Sequence, residues 1–186
     1  MIYDNNSYLL IMLCNLMEKQ VSKCHKYWEE YKSKKIEISL ISEKTIFENL
    51  VIRTIRVNYL KHDEIREISQ LHFTGWPDHG VPELNTVFDA FDLMLKETEN
   101  IVLSPKQYPV VVHCSAGVGR TGTFLAIFNN YFLFNRLMEK KSTDIKFNIW
   151  NSVRKLKEQR RFLIENKNQY YFVFLFITKY VSKFIK

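Results

Sequence analysis

The chain reads Pro109-Val110-Val111-Val112-His113-Cys114-Ser115-Ala116-Gly117-Val118-Gly119-Arg120-Thr121-Gly122 over residues 109–122. Consecutive β-branched valines after a proline predict a buried strand. The apolar and polar run from Thr123 to Lys140 predicts a helix. This stretch is therefore predicted to be a strand, a tight loop with two glycines and the first turn of a helix.

The loop has the composition of an anion-binding site. Gly117 and Gly119 let the backbone take positive φ, so that successive N–H groups converge on one point. The helix N-terminus adds partial positive charge, which favours a doubly charged phosphate. The N–H groups that would bind this phosphate belong to Ser115, Ala116, Gly117, Val118, Gly119 and Arg120.

Three side chains of the stretch suit nucleophilic attack on phosphorus. The loop N–H groups and the Arg120 guanidinium stabilise a thiolate on Cys114, and the thiolate is the nucleophilic form of cysteine. The planar guanidinium also binds two phosphoryl oxygens at once, which a lysine cannot do. Thr121 can donate a hydrogen bond to the sulfur when it leaves. We therefore predict that Cys114, Arg120 and Thr121 are catalytic.

Cys114 has two other interpretations. A buried cysteine after valines is commonly inert core, and His113 with Cys114 is half of a zinc-site pattern. Inert packing would not require the two glycines and the arginine. Cys14 and Cys24 have no paired spacing, and the five histidines are scattered along the chain. We therefore expect no metal and no cofactor.

The composition predicts one globular domain with a basic surface. The chain has 186 residues, 46% of them hydrophobic, and a formal net charge of +7. This length suits one well-packed core and is short for two domains. No basic run is interleaved with aromatic residues for base stacking, so a solvated basic surface is favoured over nucleic-acid binding. The same charge attracts acidic phosphopeptides.

Cysteine usage and hydropathy predict an intracellular protein without a membrane span. Three cysteines give no disulfide framework, and a working thiolate needs a reducing compartment. The longest apolar run, Tyr170 to Thr178, is well short of the ~20 residues of a transmembrane helix. Asp4 stands where a signal peptide would have basic residues. We therefore expect a cytoplasmic location.

The segment His113–Gly122 resembles the phosphate-binding loop of the cysteine-dependent protein tyrosine phosphatases. The resemblance extends along nearly the whole chain. It implies an α/β fold, a twisted mixed β-sheet flanked by helices, in one partial catalytic domain over residues 1–186. It also implies hydrolysis of phosphotyrosine in proteins through a cysteinyl-phosphate intermediate, without a metal. Phosphotyrosine-containing proteins would be the partners.

The rest of the pattern predicts scaffold elements. Alternating apolar and polar residues predict antiparallel strands, and apolar residues at helical spacing predict helices. Asp144 is the expected cap of the helix that carries Ile149 and Val153. The predicted strands cover residues 8–16, 36–41, 50–59 and 65–73, and the predicted helices cover residues 85–99 and 121–140.

Asp78 lies in the loop Trp76-Pro77-Asp78, between Gly75 and Gly80. The two glycines would allow the loop to hinge, and Trp76 would be the packing residue about which it pivots. Pro77 restricts the backbone next to the aspartate. Taken alone, the segment is equally compatible with a turn closed by an Asx hydrogen bond. The resemblance makes Asp78 the general acid, which protonates the leaving phenolate and later takes a proton from the attacking water.

Four further residues enter through the resemblance. Glu18 matches an acidic residue that fixes the loop arginine, and Lys23 matches a lysine beside the cleft. Without the resemblance, both are ordinary exposed charges. Glu165 and Gln169 match two glutamines that position water for the second step. Glu165 departs from the pattern, because it is a glutamate where the family has a glutamine. Its carboxylate would repel a cysteinyl-phosphate, whereas a glutamine amide would donate and accept hydrogen bonds.

The start of the chain also departs from the family pattern. Met1 matches a position inside the domain, so N-terminal helices, some strands and a tyrosine-bearing loop are expected to be absent. That loop walls the deep pocket that excludes phosphoserine and phosphothreonine. Two alternatives follow, a pseudophosphatase that binds phosphotyrosine proteins with little turnover and a dual-specificity phosphatase. Two explanations would account for such a start. The chain is a short viral member of the family, like those of bracoviruses, and then acts in the host cell, or it is a truncated gene model.

Overall fold

The computed structural model describes residues 2–77, 80–141, 146 and 148–184. The chain forms two compact units. The first comprises residues 1–78 and 90–115, and the second comprises residues 79–89 and 116–186. The boundary crosses the glycine loop, since Cys114 and Ser115 belong to the first unit and Ala116 belongs to the second.

The described elements confirm the predicted α/β class. Most of them coincide with the predicted strands and helices, with their ends displaced. The strands are β1 Leu9–Met12, β2 Met17–Glu18, β3 Val21–Ser22, β4 Tyr31–Lys32, β5 Glu37–Phe47, β6 Leu50–Tyr59, β7 Glu64–Phe73 and β8 Val110–His113. The helices are α1 Leu84–Val102, α2 Gly119–Glu139, α3 Ile149–Gln159 and α4 Lys167–Ser182.

The first unit is built on a mixed sheet of six strands in the order β4-β5-β6-β7-β1-β8. The neighbours β5, β6 and β7 are antiparallel, as the alternation predicted. β1 pairs in parallel with both β7 and β8, and all its residues are buried. β8 is half-buried rather than buried, so that prediction was wrong. The physical reason is its place at the edge of the sheet, where none of the described strands pairs with its second side.

The interior strand predicted for residues 8–16 is shorter than expected. It ends at Met12, and the chain then forms the antiparallel hairpin of β2 and β3. Beyond this hairpin Trp28 is buried. The apolar run in the sequence therefore extends beyond Met12, the last residue of β1.

The part of α1 within the first unit packs its apolar face against β7 and the loop that follows. The Phe91 ring lies 5.1 Å from Phe73 and 6.0 Å from Trp76, measured between ring centroids. All three side chains are buried. Trp76 is therefore a packing residue, as predicted.

Aromatic side chains form much of the core of the second unit. Tyr131 on α2 lies 4.7 Å from Tyr180 on α4, and Phe88 stacks on Phe176 at 4.9 Å, between ring centroids. On α2 itself, the aromatic residues Phe124, Tyr131 and Phe134 are buried. None of the described helices combines the length and apolar composition needed to cross a bilayer.

The cap of α3 differs from the prediction. The helix begins at Ile149, and its cap is Asn148, whose side chain accepts a hydrogen bond from Asn151 N at 2.8 Å. Asp144, the predicted cap, lies outside the described residues. An Asn side chain immediately before the first helical residue satisfies an N–H group that the helix itself leaves unpaired.

Candidate active site

Cys114 lies at the carboxyl end of β8. Its side chain is buried, with 8% exposed, whereas the adjacent Ser115 is exposed. β8 runs parallel to β1, and Leu13 N donates to His113 O at 2.9 Å just before the cysteine. The sheet therefore holds the backbone up to His113, and Cys114 is the first residue outside the strand.

The two glycines of the loop have different structural roles. Gly117 has a φ of 67°, in the left-handed region that glycine favours. Gly119 does not take a positive φ, contrary to the prediction, because it is already the first residue of α2. A Cβ at Gly119 would lie 2.8 Å from Gln169 Nε2 and 2.9 Å from Glu165 Oε2. Gly119 therefore permits a close approach of these side chains.

The N-terminus of α2 has the character of an anion-binding site. Val118 is the residue before the helix, and no described side chain caps this end. The first N–H groups of a helix have no acceptor within it and carry partial positive charge. Val118 O accepts from Gly122 N at 2.9 Å and from Ile164 N at 3.2 Å. These two bonds hold the end of the loop in place.

Arg160 supports the loop, a role that no sequence pattern indicated. Its Nη2 donates to Ala116 O at 3.1 Å, and its Nη1 lies 3.5 Å from the place of a Cβ on Gly117. In the sequence, Arg160 is only a basic residue near the end of a helix. Since Arg160 lies 44 positions after Ala116 in the sequence, no local spacing could have revealed the contact.

Glu165 and Gln169 lie together beside the first residue of α2. Glu165 N donates to Gln169 Oε1 at 2.8 Å, and Gln169 N donates to Asn166 Oδ1 at 3.0 Å. Gln169 is buried, and Glu165 is exposed. Their contact with Gly119 brings both predicted water-handling residues to the helix terminus where the phosphate is expected.

Glu18 is buried, which contradicts its alternative interpretation as an exposed charge. Glu18 Oε1 accepts from Asn15 N at 3.1 Å, and Asn15 Nδ2 donates to Thr74 O at 3.1 Å. Lys23 is half-buried, and its backbone N donates to Leu16 O at 2.8 Å. The functional roles of Glu18 and Lys23 stay predictions.

The remaining predicted residues lie in the first turn of α2 or outside the described residues. Arg120 is half-buried, and Thr121 is buried. Asp78 and its neighbour His79 lie outside the described residues, so the position of the general acid stays a prediction. Within residues 2–77, 80–141, 146 and 148–184, no cluster of three or more His, Cys, Asp or Glu side chains is arranged to hold a metal ion.

Comparison with known proteins identifies the family. The family model described as protein-tyrosine phosphatase matches residues 1–179. The chain belongs to the protein-tyrosine phosphatase family. Receptor-type tyrosine-protein phosphatase eta of Gallus gallus is 34% identical over 176 residues, which are 93% of this chain and 12% of that protein.

Two solved structures agree with this membership. The catalytic domain of human protein tyrosine phosphatase non-receptor type 18 has a TM-score of 0.83 and 27% identity, over 96% of this chain and 62% of that one. PTPN18 in complex with HER2 phosphopeptides has a TM-score of 0.81 and 27% identity, over 96% of this chain and 59% of that one. The chain therefore spans less than two thirds of these phosphatase structures. The relatives named are animal proteins, and a viral origin stays a hypothesis.

Proposed function

We propose that the chain hydrolyses phosphotyrosine in proteins through a cysteinyl-phosphate intermediate. The observation that carries the proposal is the placement of Cys114 directly after β8, with five residues between it and Arg120 in the first turn of α2. This order puts a nucleophile and a bidentate phosphate ligand on either side of a loop that contains a left-handed glycine. Membership of the phosphatase family supports the same reaction.

The first step transfers the phosphoryl group to the enzyme. The Cys114 thiolate forms a bond to phosphorus while the bond to the tyrosine oxygen breaks. Asp78 gives its proton to the departing phenolate, and Arg120 with the loop N–H groups holds the phosphoryl oxygens. Glu18 would orient Arg120, and Lys23 would border the cleft near Asp78.

The second step returns the thiol to its initial state. Water attacks phosphorus, Asp78 takes its proton, and the sulfur leaves while Thr121 donates a hydrogen bond to it. Gln169 and Glu165 would position the water. No step needs an oxidant, a reductant or a bound cofactor.

Phosphotyrosine-containing proteins are the proposed substrates. One structural relative is described in complex with HER2 phosphopeptides, which supports this substrate class for the family. The net charge of +7 favours encounter with acidic peptides over neutral ones. A nucleophilic thiolate also favours a reducing compartment, so we place the activity in the cytoplasm.

The decisive experiment measures phosphate release from phosphotyrosine and phosphothreonine peptides by the folded chain. We expect release from phosphotyrosine alone, its abolition by Cys114→Ser and a strong reduction by Asp78→Ala. Equal release from phosphothreonine would establish the dual-specificity alternative. Tight phosphotyrosine binding without any release would establish the pseudophosphatase and contradict the proposal.

A further inference from the structure

A continuous series of hydrogen bonds within the first unit ends at the nucleophile. Arg53 Nη1 lies 2.9 Å from Gln70 Oε1, and Gln70 Nε2 lies 2.7 Å from Tyr27 Oη. Tyr27 Oη lies 2.8 Å from His113 Nε2, and His113 Nδ1 lies 3.0 Å from Cys114 O. We call Arg53, Gln70, Tyr27 and His113 the His113 relay.

The chemistry of each group gives the relay one direction. A guanidinium only donates, so Arg53 makes the Gln70 oxygen an acceptor and turns the Gln70 NH₂ group toward Tyr27. The Tyr27 oxygen accepts that bond and keeps its own proton available for His113. His113 Nε2 is then an acceptor, so the proton of the neutral ring is on Nδ1 and is donated to the Cys114 carbonyl.

Burial keeps this direction from reversing. Arg53 is 7% exposed and Gln70 is fully buried, so water cannot substitute for a missing partner at the centre of the relay. Burial also raises the pKa of Tyr27, which therefore keeps its proton. The competing acceptor for that proton, Met12 Sδ, lies 3.8 Å from Tyr27 Oη and is a weak acceptor.

The start of the relay is held from several sides. Glu43 on β5 accepts from Arg53 Nε, and His72 Nδ1 lies 2.9 Å from Arg53 Nη1. The guanidinium carbon also lies 4.2 Å from the centre of the Trp28 ring, within the range of a cation–π contact. These contacts hold the Arg53 guanidinium in the position from which it donates to Gln70.

The last bond of the relay acts on the phosphate-binding loop through one peptide group. The C=O of Cys114 and the N–H of Ser115 share a planar trans peptide and point in opposite directions. Fixing the carbonyl with His113 therefore also fixes the N–H of Ser115. That N–H is the first donor of the predicted phosphate-binding set.

We infer that Arg53 and Gln70 are positioning residues for the nucleophile, which hold His113 as its neutral Nδ1–H tautomer and thereby orient the Ser115 N–H. The hydrogen-bond part of this inference stands on the geometry alone. Its consequence for thiolate formation and turnover rests on the proposed phosphatase function. The two parts are therefore tested by different measurements.

Nitrogen NMR of the histidine rings tests the relay in the unmodified chain. We expect the His113 ring to be neutral, with Nδ1 protonated and Nε2 accepting a hydrogen bond, and a His113→Asn variant assigns the signals. A ring protonated on Nε2 at neutral pH would overturn the inference. This measurement needs no turnover, so it also stands if the chain proves to have no phosphatase activity.

Two substitutions at the centre of the relay test its effect on Cys114. Gln70→Glu presents only acceptors to Tyr27, so the tyrosine proton turns away from His113 and the proton of the imidazole moves to Nε2. Gln70→Met removes both bonds without adding charge. In each variant we expect iodoacetamide to alkylate Cys114 roughly tenfold more slowly at pH 6, as measured by peptide mass spectrometry, because the thiolate fraction falls.

Glu67→Gln is the matched control, since Glu67 lies on the same strand with an exposed side chain and pairs with Arg56 outside the relay. We expect native alkylation and a native His113 spectrum for this control. Folded Gln70 variants with the native tautomer and native alkylation would overturn the inference. If circular dichroism shows that neither Gln70 variant folds, the tautomer of the unmodified chain decides the question.

Discussion

At the scale of single residues, Glu165 is predicted to depart from the family pattern, which has a glutamine at the matching position. Its carboxylate lies beside Gly119, the first residue of α2. A carboxylate at a helix N-terminus is stabilised by the same partial positive charge that would bind a phosphate. Glu165 thus competes with the anion that the loop is proposed to bind.

Glu165→Gln should accelerate the second step of the reaction. Removing the negative charge ends the repulsion of the cysteinyl-phosphate, and the amide can orient the attacking water. We expect steady-state release about tenfold faster, corresponding to about 1.4 kcal/mol, with a smaller initial burst of phenolate. Glu139→Gln, at the exposed end of α2, is the control. An unchanged rate would show that the carboxylate does not limit hydrolysis.

Gly117 is the glycine of the loop whose backbone conformation excludes most other residues. Its φ of 67° makes an L side chain strained, although the space beside it is open to ordinary contact with Arg160. We expect Gly117→Ala to lower the free energy of unfolding by about 1–2 kcal/mol in urea titrations. Gly117→Asn should have a smaller effect, because Asn tolerates this region better. Equal losses for both variants would contradict a conformational cause.

At the scale of elements, the loop depends on contacts with the segments that follow α3. Arg160 donates to Ala116 O, and Ile164 N donates to Val118 O. Local pattern predicted most of the strands and helices, because side-chain alternation and helical spacing are local properties. It did not predict which element would hold the loop, since this depends on residues far apart in the sequence.

Arg160→Met should weaken the loop without unfolding the protein. The lost bond is exposed, so we expect the free energy of unfolding to change by less than about 1 kcal/mol. We expect kcat/KM for a phosphotyrosine peptide to fall about tenfold, because the loop loses a charged donor. Arg161→Met, one residue further along, is the control and should keep native kinetics. A similar fall of kcat/KM in both variants would assign the effect to the loss of surface charge.

At the scale of the whole molecule, the first unit contains a buried histidine that makes folding depend on pH. His72 is 4% exposed, with Arg53 Nη1 at 2.9 Å from Nδ1 and Cys14 O at 2.8 Å from Nε2. Burial, with a contribution from the Arg53 charge, lowers the pKa of His72 to about 4. The folded chain therefore favours neutral His72 throughout the neutral range.

Acid should therefore destabilise the protein between the two pKa values of His72. In the unfolded chain this histidine has a pKa of about 6.5, so it binds protons there more readily than in the folded chain. The free energy of unfolding should fall by roughly 3 kcal/mol as the pH falls from about 6.5 to about 4. We expect His72→Gln to remove this part of the pH dependence in urea titrations at several pH values. An equally steep loss in that variant would assign it to other groups.

The sequence by itself determined the strand, the glycine loop, the following helix and the chemical identity of Cys114 and Arg120. These features depend on local properties, namely β-branching, the φ range of glycine, and thiol and guanidinium chemistry. Only the tertiary structure decided that β8 is an edge strand, that Gly119 makes room for Gln169, and that the His113 relay reaches the nucleophile. Each of these depends on residues distant in the sequence, whose contacts arise from sheet order and packing and leave no periodic signal along the chain.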